Sequence, residues 1–237
     1  MLSPQNRDTL KHRVPGVQKL LHWRARLRRG AMLRAYFAAH PAPALHLGCG
    51  GNLLAGWLNT DLLPERGNVV VLDCTRPLPF ADGAFHRIFS EHMIEHIPLA
   101  AARGLLAECR RVLRAGGAIR LATPNLAQVC RFHTMRSDPT VARYLAWSRP
   151  RYAVPGPGSD AAHVINSLFY HHGHRFLYDE ETLSALLREA GFINCVACAP
   201  SESPRPGMAG LEHHGHVMGD EFNRLETLVV EAQTPVA

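Results

Sequence analysis

Residues 45–51, Leu-His-Leu-Gly-Cys-Gly-Gly, run a short apolar strand directly into a glycine turn. Glycine lacks a Cβ, so the backbone at Gly48 and Gly50 can turn sharply and lie against a ligand that any side chain would push away. Two acids follow, Asp61 and Asp73, each closing a strand-like segment. Taken in order, these residues predict a nucleotide pocket, with carboxylates as acceptors for ribose hydroxyls and a purine amine.

The surrounding chain alternates between the two periodicities. Val69 to Asp73 reads as a second apolar strand ending in an acid, and Phe85 to Ser90 as a third, with Ser90 opening a polar loop. Leu105, Leu106, Cys109, Val112 and Leu113 share one helical face, and the pattern expects that helix to stop at Gly116-Gly117. Ala118 to Thr123 then restarts a strand. Strands alternating with helices imply a parallel sheet with right-handed crossovers. A ligand of such a sheet sits beyond the carboxyl ends of the strands, where Gly48, Asp61, Asp73 and Ser90 all fall.

Four stretches carry a family resemblance: LHLGCGG (45–51), WLNTDLLP (57–64), VVVLDCTRPLPFADGAFHRIFSEHMIEHI (69–97) and LLAECRRVLRAGGAIRLATPN (105–125). The chain resembles class I S-adenosylmethionine-dependent methyltransferases, closely over 43–125 and loosely over 176–232. The resemblance implies a Rossmann-like fold, a mostly parallel seven-stranded sheet with helices on both faces and an inserted lid. It also implies S-adenosylmethionine as cofactor. Gly48, Cys49 and Gly50 would underlie its methionine and ribose, Asp61 would bind ribose hydroxyls, and Asp73 with Cys74 would contact adenine. Ser90 would stand beside them at the end of its strand.

The chain departs from the family pattern in two places. Asn52 stands where the third glycine is usual, and only ten residues separate Gly50 from Asp61, too few for a full helix between the first two strands. An NAD-linked oxidoreductase is the competing enzyme, but its G-x-G-x-x-G fingerprint requires glycine at Leu53 and an acid about twenty residues on. The third alternative is a methyltransferase-like binding or partner subunit without turnover.

At 237 residues, 46% hydrophobic and 19% charged, the chain can bury one domain with an elaboration. It has no run of about 18 apolar residues and no charged-then-apolar leader, so a cytoplasmic protein without a membrane span is expected. Cys49, Cys74, Cys109, Cys130, Cys195 and Cys198 are scattered, as expected of reduced core thiols. Residues 1–40 hold nine Lys and Arg against Asp8 alone, although the whole chain is only +6. These residues form a basic N-terminal arm, and 41–237 form the methyltransferase domain with an insertion at about 126–175. Leu20, Trp23, Leu27, Met32, Leu33, Tyr36 and Phe37 suggest that the arm is a helix docking its apolar side. Its arginines read as a solvated face, and nucleic acid is not the expected partner because aromatic interleaving is thin.

Residues 126–175 read as the least regular stretch, with Pro139, Pro150 and Pro155-Gly156-Pro157-Gly158 among aromatics. In the resembling fold, an insertion there forms the acceptor pocket and its lid. Asp179 through Gly191 reads as a capped helix with a glycine stop, and Ile193–Ala197 and Glu226–Ala232 as the last two strands.

Histidines pose a separate question. His92-Met93-Ile94-Glu95-His96 matches H-x-x-E-H, an inverted zinc-peptidase motif, without the long helix and downstream carboxylate that motif needs. It is also similar to the E-x-x-E-H segment of small-RNA 2′-O-methyltransferases, which with a later histidine holds magnesium. His92 replaces the first glutamate, and imidazole suits zinc, iron or manganese better. The reading adopted is a polar helix start with no metal. Cys195-x-x-Cys198 followed by His213-x-x-His216 counts like a zinc finger but lacks the finger's spacing and hydrophobics. Methyl transfer to a hydroxyl needs orientation and a proton acceptor. His92, His171, His172 and His174 are the candidates for that catalytic role. No N/D-P-P-Y follows the strand ending at Ser90, which argues against amino methylation of DNA bases. The expected acceptor is a small molecule or a sugar or glycan hydroxyl.

Overall fold

The computed structural model describes residues 15–64 and 67–236, without the side chains of 15–22 and 24–26. Its centre is a seven-stranded sheet of β1 (Ala44–Leu47), β2 (Leu58–Asp61), β3 (Val70–Val71), β4 (Phe85–Glu91), β5 (Leu113–Pro124), β6 (Ile193–Cys198) and β7 (Thr227–Gln233). The strand order is β3-β2-β1-β4-β5-β7-β6. β1 to β5 pair in parallel, and β7 runs antiparallel to both β5 and β6. Every residue of β1 is buried, as a strand covered on both faces requires.

The chain order reverses at β1, which lies between β2 and β4. That is the switch point where a crevice opens beyond the strand ends. As the short spacing requires, β1 and β2 are joined by turns alone. Elsewhere helices cover the sheet. Helix α1 (Pro15–Ala39) precedes β1, and α2 (Leu99–Val112) turns Ala102, Leu105, Leu106, Cys109 and Val112 into the core. That helix stops four residues before Gly116, because Leu113 already pairs with Phe85 and begins β5. The segment expected to be a strand from Val69 to Asp73 keeps only Val70–Val71 in the sheet.

Among its described side chains, helix α1 docks by its last turns. Met32, Leu33, Tyr36 and Phe37 pack on the core, and the Tyr36 hydroxyl accepts the Ala44 N–H at 2.9 Å. Trp23 and Leu27, expected on the docked side, are exposed, and the side chain of Leu20 lies outside the described residues.

The insertion is not irregular. It forms α3 (Leu126–Arg131), α4 (Pro139–Tyr152) and α5 (Asp160–Tyr170), with an apolar cluster of its own that includes Phe132, Tyr144, Val164 and Leu168. Prolines misled the reading because Pro139 occupies the first turn of α4, where its missing N–H costs nothing, and Pro150 lies in the last. Asp138 caps that helix by accepting from Thr140 N–H and Val141 N–H. Next, α6 (Glu180–Glu189) starts at Asp179, which accepts Thr182 N–H at 2.8 Å, and stops before Gly191 at φ 90°. After β6, residues 199–214 cross the sheet. They are held by buried Arg120 of β5, whose Nε donates to Glu212 at 2.5 Å while its Nη1 donates to Glu231 at 2.5 Å and to Glu202 O at 2.8 Å. Short helices α7 (Gly215–Met218) and α8 (Asp220–Glu226) return the chain to β7. Among the described residues no helix is long and apolar enough to cross a membrane.

Candidate active site

The glycine turn and the acid of β2 form one unit. Gly48 has φ 65°, and a Cβ there would lie 2.4 Å from Met93 Cγ and 2.7 Å from Met93 Cβ. Gly50 has φ 50° with nothing within 4 Å of a built Cβ, so open space lies beyond its backbone. Cys49 N–H donates to Thr60 O at 2.9 Å, and Gly50 N–H donates to Asp61 Oδ2 at 3.0 Å. Leu63 N–H donates to Asp61 Oδ1 at 2.8 Å. Each Asp61 oxygen thus accepts one protein N–H and keeps a lone pair for a ribose hydroxyl. The cradle fits a nucleoside-bearing cofactor.

Asp73 is more heavily engaged. Its Oδ1 accepts from Thr75 N–H and the Thr75 hydroxyl, and its Oδ2 accepts Arg76 Nε at 3.1 Å. Burial pushes this carboxyl up, but the Thr75 hydrogen bonds and Arg76 outweigh it and hold Asp73 below its ordinary value. One Oδ2 lone pair remains for an adenine amine. Burial pushes the Cys49 and Cys74 thiols up to about 12, so both stay protonated and serve as small apolar residues. Ser90 donates its hydroxyl to Leu47 O at 3.1 Å and joins the ends of β1 and β4.

Beyond β4 lies a cluster of buried and half-buried polar side chains. His92 adopts φ 46°, unusual for a side chain of its size, and its Nδ1 donates to Glu95 Oε1 at 3.2 Å. The Thr123 hydroxyl donates to Glu95 Oε2 at 3.1 Å. Glu95 is wholly buried. Burial pushes its carboxyl up, but the His92 hydrogen bond and the charges of His92 and His96 bring it below its ordinary value. For His92, burial pulls the imidazole down, and Glu95, with Glu226 and Glu91, more than reverses it. The two shifts describe one pair held by mutual charge.

The rings of His92 and His214 lie 4.1 Å apart, and the Nε2 of each is buried without a protein partner. Burial lowers His214 to about 3 and His172 to about 4, which keeps both neutral. His172 stacks on His174 at 5.4 Å, and its Nε2 sits 3.3 Å from the Ser167 hydroxyl. Burial also lowers His174, whose Nδ1 donates to Leu168 O at 2.5 Å. His171 is different: it lies exposed at the end of α5. A cavity of about 650 Å³ opens beside this group, lined by Pro98, Leu99, Leu126, Tyr170, His174 and Arg175 among others.

Sequence reading missed His214, Glu226 and Tyr144. His213 and His214 donate their backbone N–H groups to the Glu91 carboxylate at 2.9–3.0 Å, which sets the His214 ring against His92. Tyr144 of α4 donates to buried Glu226. No local pattern marks contacts that join residues this far apart in the chain. Cys195 and Cys198 lie on β6, and His213 and His216 stack in the following loop. Among the described residues, the only three or more His, Cys, Asp or Glu ligand atoms within 4.8 Å of one another belong to Glu95, His96 and His174.

Residues 45–121 match the family model described as a methyltransferase domain. No curated protein matches the chain significantly. Three solved structures are similar in fold. A SAM-dependent methyltransferase from Archaeoglobus fulgidus is 16% identical at TM-score 0.47, over 89% of this chain and 94% of that one. Phosphoethanolamine N-methyltransferase 2 of Haemonchus contortus, bound to S-adenosyl-L-methionine, is 15% identical at TM-score 0.47, over 88% and 52%. A protein of Bordetella parapertussis described as a possible exported protein is 17% identical at TM-score 0.49, over 100% and 74%. At such identities and scores these likenesses say nothing of acceptor or partner. The matched segment contains the glycine turn, both acids and the His92 corner, and it lies in a sheet of the expected order. Over residues 45–121 the chain carries a methyltransferase domain, set in a seven-stranded Rossmann-like sheet.

Proposed function

We propose that the acceptor is a hydroxyl on a small molecule or on a sugar or glycan. One observation carries this reading: the Nε2 atoms of His92 and His214 are both buried without protein partners, on rings whose centroids lie 4.1 Å apart. Buried polar atoms in proteins are almost always satisfied, so a polar occupant belongs there. A hydroxyl both donates and accepts, which suits two imidazole nitrogens.

S-adenosylmethionine, when bound, supplies an electrophilic sulfonium methyl that an oxygen acceptor can take. The protein's share is orientation and proton removal. Glu95 fixes the His92 ring through Nδ1, so that in the neutral form of the ring, which carries its proton on Nδ1, Nε2 faces the acceptor and receives its hydroxyl hydrogen bond. The proton leaves along that bond as the oxygen gains its methyl. Helices α3 to α5 act as the lid that excludes water from the histidine cluster. The six unpaired cysteines suit a reducing compartment, and we place the enzyme in the cytoplasm.

Two measurements test this. Release of S-adenosylhomocysteine is followed against sugars, nucleotide sugars and small alcohols, with His92→Gln beside the parent protein. The variant loses about 10²-fold in turnover while calorimetric cofactor affinity stays within a factor of a few. A variant that keeps full rate overturns the role of His92. Cofactor binding without methylation of any acceptor would favour a binding subunit. Separately, Asp61→Ala loses about 1.5–3 kcal/mol of cofactor affinity through its charge-assisted ribose bonds. NAD stays silent in the same calorimeter, and binding of NAD in preference would count against the cofactor assignment.

A further inference from the structure

We propose that Glu95, His96 and His174 form a site for one divalent transition-metal ion, with zinc the best fit, open toward the neighbouring cavity. Their ligand atoms already lie within 4.8 Å of one another. A tetrahedral ion with bonds of about 2.1 Å wants donors about 3.4 Å apart, so they need draw together only modestly.

The surroundings of these donors resemble those of a built site. Ligating imidazoles commonly donate their second nitrogen to a carbonyl or carboxylate, which fixes ring and tautomer. His174 does so: its Nδ1 is bonded to Leu168 O, which leaves Nε2 for the ion. The Glu95 carboxylate is steadied on one oxygen by His92 and on the other by Thr123. His92 therefore braces the carboxylate from behind, and the third ligand comes from the segment after α5 rather than from the H-x-x-E-H run. The Glu95 carbonyl also accepts Arg175 N–H at 2.7 Å and Phe176 N–H at 3.2 Å, which ties the two ligand-bearing segments together.

Two imidazoles and one carboxylate select the metal. Magnesium and calcium favour all-oxygen shells, whereas zinc, manganese and iron accept mixed nitrogen and oxygen donors. Three protein ligands with an open position is the pattern of a site where the ion meets a substrate. His96 is exposed and His174 lines the cavity, so the open side faces solvent. From sequence, the run from His92 to His96 reads as a polar helix start without metal, with His171, His172 or His174 able to complete a site; of these, His174 is the one grouped with Glu95 and His96. What the ion does there rests on the hydroxyl-acceptor reading, since a bound ion polarises an oxygen that approaches it. Its binding does not.

Metal-stripped full-length protein is titrated with Zn²⁺, Mn²⁺ and Mg²⁺ by calorimetry and thermal melting. We expect one equivalent of zinc bound in the submicromolar range with a raised Tm, and no heat from magnesium. His96→Ala and His174→Ala each weaken zinc by at least about 10²-fold. Since Glu95 is buried within the fold, the decisive variant is exposed His96→Ala, with its circular dichroism compared to the parent. The stacked surface pair His213 and His216 supplies the control. One zinc equivalent that survives His96→Ala and His174→Ala but vanishes in His213→Ala/His216→Ala overturns the proposal, as does no binding at all. Because the readout is binding, neither result depends on whether a hydroxyl is methylated.

Discussion

Arg120→Ala lowers stability by about 3–5 kcal/mol, because a buried ion pair that loses one partner leaves the other charge uncompensated. Arg120 is wholly buried between Glu212 and Glu231, which are also buried. Only part of the loss is relieved elsewhere: Glu231 still has Arg205 at 2.8 Å, and Glu212 still accepts Ser201 N–H at 3.1 Å. For a chain of this length, each kcal/mol moves Tm by about 2–4 °C, so a drop of roughly 6–20 °C is expected in a melting scan. Replacing Arg120, Glu212 and Glu231 together with apolar residues removes the orphaned charges and restores much of the stability. A single-variant loss below about 1 kcal/mol would show that water reaches the cluster.

Gly48→Ala is the second large effect, and it separates two costs. The left-handed backbone at φ 65° costs an L-residue about 1–2 kcal/mol, and forcing a methyl against Met93 adds about 1–3 kcal/mol. Met93 cannot simply swing away, since its Cβ is among the atoms met. The turn must shift, taking Cys49 and Gly50 with it, and cofactor affinity falls by more than about 10-fold by calorimetry. Gly50→Ala shares the positive φ but meets nothing within 4 Å, so without cofactor it destabilises less. Adding Met93→Ala to Gly48→Ala removes the Cγ contact but leaves the one with Cβ, so it recovers only part of the packing share and none of the backbone share. Equal losses in Gly48→Ala and Gly50→Ala would refute the contact argument.

The sheet was legible because its signals are local. Leu45 to Leu47 running into glycine, Asp61 closing the next strand and the Leu105, Leu106, Cys109 face each declare themselves within a few residues. The insertion was misread because Pro139 and Pro150 were taken as breakers, although a proline near a helix end breaks little. The end of α2 was misplaced because pairing of Leu113 with Phe85 overrides the glycine signal three residues later. In the candidate site, Gly50 and Asp61 are joined as neighbours in the order the motif gives them, whereas the histidine cluster follows no such order. His214 reaches His92 only through Glu91, and His174 reaches Glu95 only through the fold of residues 171–178. Those are tertiary facts.

The crossing of residues 199–214 also bears on when the site comes into being. Asn52, which replaces the turn's customary third glycine, donates its side-chain amide to Leu211 O at 3.0 Å across 159 positions of chain. Contacts of such separation carry a loop-closure cost and form late. During synthesis, the first five strands can emerge and collapse while the glycine turn still waits for its brace from the C-terminal hairpin. Nascent chains cut short before residue 211 would therefore carry every cofactor motif in sequence and yet lack the finished pocket.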